Sequence, residues 1–158
     1  MNRMTLVARA GAQDVVTTRE FDAPRELLFA AMTNPEHIPH WWGPRDRTTS
    51  VATMDVRKGG IWRFVIDGAG AFTGVYHLVQ APSRVVQTFE FEPMAGHVAL
   101  ESMSLDDLGE GRTRMTVRSV FTTTEDRDGI VASGMEQGAA ETYERLDALL
   151  ARLGTAPR

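Results

Sequence analysis

The chain contains no cysteine. That absence excludes disulfides, thiolate metal sites and cysteine nucleophiles. Lysine is nearly missing as well: Lys58 is the sole lysine among 17 basic residues, set against 21 acidic ones for a net charge of −4. Such a balance offers no basic field to nucleic acid. Arg112, Arg114 and Arg118 do fall on one face of a candidate strand. Acidic Asp106, Asp107 and Glu110 lie beside them in the sequence, so a solvated strand face is the preferred reading. No apolar run approaches the ~20 residues a membrane span needs, and the N-terminus lacks the apolar core of a signal peptide. A cytoplasmic location is the resulting expectation. The chain also lacks a G-x-S-x-G elbow, a P-loop and a dinucleotide fingerprint, and no cofactor is expected.

What remains is an ordinary globular composition, 42% hydrophobic and 24% charged over 158 residues. That length suits one domain, residues 1–158 with a core at about 14–153, large enough for a continuous interior and a pocket. Residues 1–12 read as a frayed lead-in. Val15, Thr17, Arg19 and Phe21 alternate with Val16, Thr18 and Glu20 and predict a first strand. Asp22-Ala23-Pro24 starts a helix whose apolar face is Leu27, Leu28, Ala31 and Met32. Thr33-Asn34-Pro35-Glu36 signals a second, short helix with a capping box, ending in Trp41-Trp42-Gly43-Pro44.

Six strands are predicted next, near 48–56, 60–67, 71–80, 84–92, 97–105 and 112–121. Their separators are short and turn-like, including Lys58-Gly59-Gly60, the hairpin Gly68-Ala69-Gly70, and Asp107 through Gly111. Connections this short cannot hold crossover helices, so neighbouring strands should pair antiparallel. Thr122 through Asp126 offers a capping box for a long final helix from about Glu125 to Leu153, with Gly154 as its stop. Val131, Met135, Gly138, Thr142, Leu146, Leu149 and Leu153 form its inward stripe. Glu136, Glu144, Asp147 and Arg152 fall mostly on the other side, and Glu141 can pair with Arg145. The small residues Gly129, Ser133, Gly134, Gly138, Ala139 and Ala140 admit two readings. They bring the helix close to the sheet, which is preferred, or they leave volume for a ligand.

The predicted fold is α+β: a curved antiparallel sheet of about seven strands around the C-terminal helix, with two short helices after the first strand. Alternation places Trp62, Phe64 and Ile66 on the concave face. Phe72, Gly74, Tyr76 and Leu78 form a second inward set; Val85, Gln87, Phe89 and Phe91 a third; Met115, Val117, Ser119 and Phe121 a fourth. An aromatic-rich concave face is core, pocket wall or both. The candidate ligand-binding residues are Trp41, Trp42, Trp62, Phe64, Phe72, Tyr76, Gln87, Phe89, Met103, Met115, Met135 and Tyr143. Gln87 and Tyr76 read equally as satisfied core polar groups. Glu101 is the one weak catalytic candidate. If it shares the inward side with Ala99 and Met103 it is a carboxylate in an apolar cavity; in the opposite register it is a surface residue. His37 and His40 sit three apart, but a zinc site needs a third ligand, and no metal site is expected.

Phe21-Asp22-Ala23-Pro24 with Leu28-Phe29, Trp41-Trp42-Gly43-Pro44, Gly59-Gly60 with Trp62 and Phe64, and Gly74-Val75-Tyr76 together resemble the SRPBCC (START-like, Bet v 1-like) superfamily. Gly134-Met135, Gly138 and Tyr143-Glu144-Arg145-Leu146 are similar to the final-helix signature of one branch, that of activator of heat-shock protein 90 ATPase homologue proteins. The resemblance covers about residues 14–153. It implies a helix-grip fold and a frequently hollow interior that takes apolar molecules, and it carries over no catalytic residues. Two functions follow as expectations. One is binding of a hydrophobic small molecule between final helix and sheet. The other is a protein-interaction or co-chaperone-like module with a side-chain-filled core, a chaperone or another protein as partner, and an exposed patch at Trp41 or Trp42. Either is compatible with a homodimer.

Overall fold

In the computed structural model, which describes residues 4–155, eight strands form one antiparallel sheet. In chain order the elements begin with β1 (Met4–Val7), β2 (Asp14–Phe21) and α1 (Arg25–Thr33). A 3₁₀ turn at Ile38–His40 follows, and then β3 (Thr49–Met54), β4 (Ile61–Ile66), β5 (Gly70–Gln80) and β6 (Arg84–Phe91). The remainder is a second 3₁₀ turn at Glu92–Met94, β7 (Ala99–Gly109), β8 (Arg112–Val120), α2 (Thr124–Ala132) and α3 (Met135–Thr155). The spatial order β1-β2-β8-β7-β6-β5-β4-β3 makes strands three to eight a meander, and β2 closes it by pairing with the last strand.

The first strand and the six that were predicted are all present, and β1 adds an eighth. It occupies residues read as a frayed lead-in, where Met4–Val7 pair with Val16–Arg19; residues 1–3 lie outside the described part. Strand β7 runs to Gly109, past the predicted turn at Asp107. The reversal falls instead on Gly109, Glu110 and Gly111, all at positive φ. A register shift between Tyr76 and Leu78 turns β5 by one residue. Val79, rather than the expected Leu78, therefore packs against the buried core, because a bulge inverts the facing of every residue beyond it.

The predicted second helix contracts to the first 3₁₀ turn. Thr33 does not cap it: its hydroxyl donates back to the Phe29 carbonyl at 2.7 Å. Asn34 Oδ1 takes the Glu36 amide at 3.0 Å instead, a local turn that competes with helix.

The single long helix predicted for 125–153 is two helices. Thr123 caps α2 by accepting the Asp126 amide at 3.0 Å. Gly134 then takes φ +97° and redirects the chain into α3, a conformation that glycine adopts without steric cost. Gly154 is no stop, since α3 runs to Thr155. Helix α2 is fastened by buried Arg127, whose guanidinium donates to the carbonyls of Asp14 (3.0 Å) and Arg9 (2.7 Å).

Helix α3 is seated by its C-terminal half. Leu146, Leu149 and Leu150 are buried with Phe21, Leu28, Phe29, Leu105 and Met115. Each such side chain contributes about 1.5–3 kcal/mol by leaving water. Asp147 faces the sheet, contrary to its predicted outward placement, because Arg19 at 5% exposure projects inward from β2 and needs a counter-charge. The Arg19 guanidinium also lies 4.7 Å from the Phe21 ring centre. On the convex face the three arginines of β8 are solvated as read, with Asp106 directly opposite Arg114, and they form ion pairs with Glu20, Asp22 and Asp14 of β2 and its flank. No described helix is long and apolar enough to cross a membrane.

Candidate functional site

Beneath the N-terminal half of α3 the interior is hollow. A cavity of about 450 Å³ lies between that half-helix, the Trp41–Pro44 segment and the concave faces of β4 to β8. Its wall includes Trp41, Trp42, Trp62, Phe64, Phe72, Tyr76, Gln87, Phe89, Glu101, Met103, Met135 and Tyr143. Of the residues expected there, Met115 alone is missing. It points inward but is fully buried beneath the seated half of α3, where no space is left.

The small residues of the final helix explain where the hollow begins. Gly138 and Ala139 line the cavity, and a Cβ built on Gly138 meets nothing within 4 Å. Here the small residues leave volume rather than draw the helix onto the sheet, the reverse of the preferred expectation.

The adjacent tryptophans divide the work between them. Trp41 is 4% exposed, and its Nε1–H donates to the Ala31 carbonyl at 3.0 Å, tying the segment to α1. Trp42 is half-buried and meets Trp62, Phe64 and Phe72 edge-on at 5.1–6.3 Å between ring centres. Phe72, Phe89 and Phe91 extend the same aromatic wall. Such edge and offset contacts contribute about 0.5–1.5 kcal/mol per pair beyond area. Gly74 permits the wall: a Cβ there would sit 1.9 Å from the Thr88 carbonyl oxygen and 2.5 Å from Trp62 Nε1.

Glu141 acts on the charge of Arg145 as expected, but the hydrogen bonds of both side chains go to the Trp41–Arg45 segment. Arg145 donates to the carbonyls of Gly43 (2.7 Å) and Pro44 (3.3 Å). Glu141 accepts the Arg45 amide at 2.9 Å.

Glu101 faces in, between Ala99 and Met103, and lines the cavity. Its Oε2 accepts from the Ser119 hydroxyl at 3.1 Å, and Gln87 Nε2 stands 3.5 Å from Oε1. Burial pushes the Glu101 carboxyl above the usual range, against the lowering effect of these two donors. Burial also raises the hydroxyl pKa of Tyr76 and of Tyr143, and the nearby Glu101 charge raises Tyr143 further while Arg19 opposes it. Ser119 belonged to the inward alternation but was not singled out. The signal that could have found it is its position directly opposite Glu101 across the β7–β8 pair. Met32, Ile38, Pro44, Val85, Val117 and Thr142 also line the space; nothing in their apolar spacing separates wall from core.

His37 and His40 sit apart, beside a shallow groove with Glu36, Leu149, Arg152 and Leu153. Among the described residues no group of three or more His, Asp or Glu side chains could hold a metal ion.

A curved antiparallel sheet gripping a C-terminal helix over an apolar hollow defines a helix-grip protein of the SRPBCC type. The chain belongs to the family of activator of Hsp90 ATPase homolog 1-like proteins, whose model matches residues 22–151. Among solved structures it is similar to a Rhodobacter sphaeroides protein at 28% identity and TM-score 0.85, over 96% of this chain and 99% of that one. An Arthrobacter aurescens protein matches at 26% identity and TM-score 0.83, over 94% and 91% of the two chains. Protein Ms6760 of Mycobacterium smegmatis shares the fold at 22% identity and TM-score 0.83, over 96% and 99%. No match was found among curated proteins.

Proposed function

We propose that the protein binds a small apolar or aromatic molecule in the cavity under the N-terminal half of α3. The observation that carries this reading is an interior space of about 450 Å³ walled by aromatic and aliphatic side chains, with a few polar groups at one level. Sites for small ligands have this character and typically fall between about 300 and 1,000 Å³. A side-chain-filled core would need that volume closed, and an empty apolar void of this size forfeits packing on every wall.

The competing reading, a protein-docking module, asks for an apolar patch at the tryptophans. Trp41 is buried and Trp42 turns into the ring cluster. The exposed large apolar residues Val7, Ile61, Met94, Leu100, Leu108 and Ile130 are spread over β1, β4, β7, α2 and the turn after β6. Family membership alone is compatible with action beside a chaperone, so the test must separate the two. Titration with the neutral fluorophore N-phenyl-1-naphthylamine should give saturable, one-to-one enhancement, lost when Ala139→Phe fills the wall. Enhancement that survives Ala139→Phe in a folded variant places the dye elsewhere and rejects the cavity as its site.

A further inference from the structure

The strand registers align the polar groups Tyr76, Gln87 and Glu101 of the cavity in a single row with buried Ser119 behind them. Ser119 stands opposite Glu101, Glu101 opposite Gln87, and Gln87 opposite Tyr76, across β8, β7, β6 and β5 in turn. With neighbouring strands ~4.8 Å apart, this rung crosses roughly 14 Å of the concave face. On one side of it lie Phe89, Trp62 and Phe72, and on the other Val85, Met103 and Val117. Tyr143 approaches from the helix above. Neither tyrosine hydroxyl bonds another described residue.

Among the described residues the rung has no basic partner. On the cavity wall the ionisable side chains among the described residues are Glu101, Glu141, Tyr76 and Tyr143, with no lysine, arginine or histidine. Glu141 is engaged at the rim by Arg45, and Arg19 acts on Tyr143 while its own charge is met by Asp147. A ligand carboxylate placed at this rung would meet Glu101 in an apolar surrounding, with Arg45 and Arg145 committed at the rim, so its lost hydration is not offset and it is strongly disfavoured. A carboxyl group pushed toward its protonated form by burial has a hydrogen to donate.

We propose that the polar rung selects an uncharged ligand with a hydrogen-bond-accepting oxygen, received at Glu101 and its neighbours along the rung, and that the cavity rejects carboxylate ligands. This inference rests on the cavity being the binding site. The apolar remainder of the ligand lies against the aromatic wall, so recognition is polar along one edge and apolar along the other.

Four probes with one naphthalene body test it: 2-acetylnaphthalene, 2-ethylnaphthalene, 2-naphthoate and 2-naphthylmethylamine, titrated at pH 7 by isothermal calorimetry or protein NMR. The ketone should bind at least tenfold tighter than the hydrocarbon, and the naphthoate at least tenfold weaker than the ketone. Glu101→Gln, which still presents N–H donors, should keep the ketone preference, and Glu101→Leu should abolish it. If Glu101→Leu does not fold, the wild-type pH series decides. Ketone affinity should fall as pH rises and Glu101 ionises, while in Glu101→Gln it stays level. Equal binding of ketone and hydrocarbon, or naphthoate binding as tight as the ketone, overturns the inference and leaves the cavity reading standing. The amine binding tightest also overturns it, because Glu101 would then act as a carboxylate. Binding of none of the four overturns the cavity reading and this inference with it.

Discussion

Arg145 on the final helix donates to the main-chain carbonyls of Gly43 and Pro44, so the cavity roof and the segment carrying Trp42 are fastened to each other. The helix half that stands off the sheet is therefore held at its rim, with Tyr143 packed edge-on against Phe21 as an apolar contact to the sheet. Replacing Arg145 with Met keeps the stem and removes the donors. Hydrogen bonds from a charged group contribute about 1.5–3 kcal/mol where enclosed, and less at this partly open rim. Arg145→Met should lower stability by about 1 kcal/mol. It should also speed amide exchange selectively in the Gly43–Arg47 segment and raise the dissociation rate of a cavity ligand. Unchanged exchange in that segment would show that the arginine does not hold it.

Gly138 should be improvable for stability at the expense of binding. Glycine in a helix interior costs about 1 kcal/mol relative to good helix formers, and the space beside it is open. Gly138→Leu is expected to raise the melting temperature and to weaken cavity ligands at least tenfold, read by thermal denaturation and by dye titration on the same preparation.

The opposite holds at Gly74. Its added Cβ would meet the Thr88 carbonyl oxygen at 1.9 Å, and that backbone atom cannot rotate away. Gly74→Ala should cost about 3 kcal/mol, at the upper end for overpacking, in chemical denaturation. A loss below about 1 kcal/mol would mean that β5 and β6 separate there without penalty.

Glu101 should make stability fall as pH rises. In the unfolded chain it releases its proton near 4.5, and in the folded chain only at higher pH, because burial disfavours the charge. Between those two values the folded state binds more protons than the unfolded one, so unfolding free energy declines with pH, and the full penalty is present above the folded value. Glu101→Gln removes the titration. Wild type and variant should melt alike below pH 4.5, and the variant should gain as pH rises above that value. A difference constant with pH would contradict a buried, titrating carboxyl.

Much of this architecture is legible in the residues, because alternation and short turns carry it. Trp62-Phe64-Ile66 and Met115-Val117-Ser119 declare their faces without any partner. What escapes the sequence depends on a second element. Leu78 and Val79 exchange roles at a bulge that only the pairing with β6 defines. Glu101 is inward or outward according to which residue of β7 meets Ser119 and Gln87. Asp147 reads as a surface charge until Arg19 is seen 128 positions away. Met115 and Met103 share the same inward alternation, yet one lies under the seated half of α3 and the other under the hollow half. The break at Ser133-Gly134 also hides in the sequence, since a helical stripe passes through it with its spacing intact.

Native mass spectrometry of freshly purified protein, set beside the denatured mass, tests whether the interior holds a small molecule. Wild type should carry a retained, releasable mass of an uncharged compound that is missing from Gly138→Leu. If wild type is bare, and also gains no mass or thermal stability from saturating 2-acetylnaphthalene, the cavity is not a ligand site and the account is contradicted.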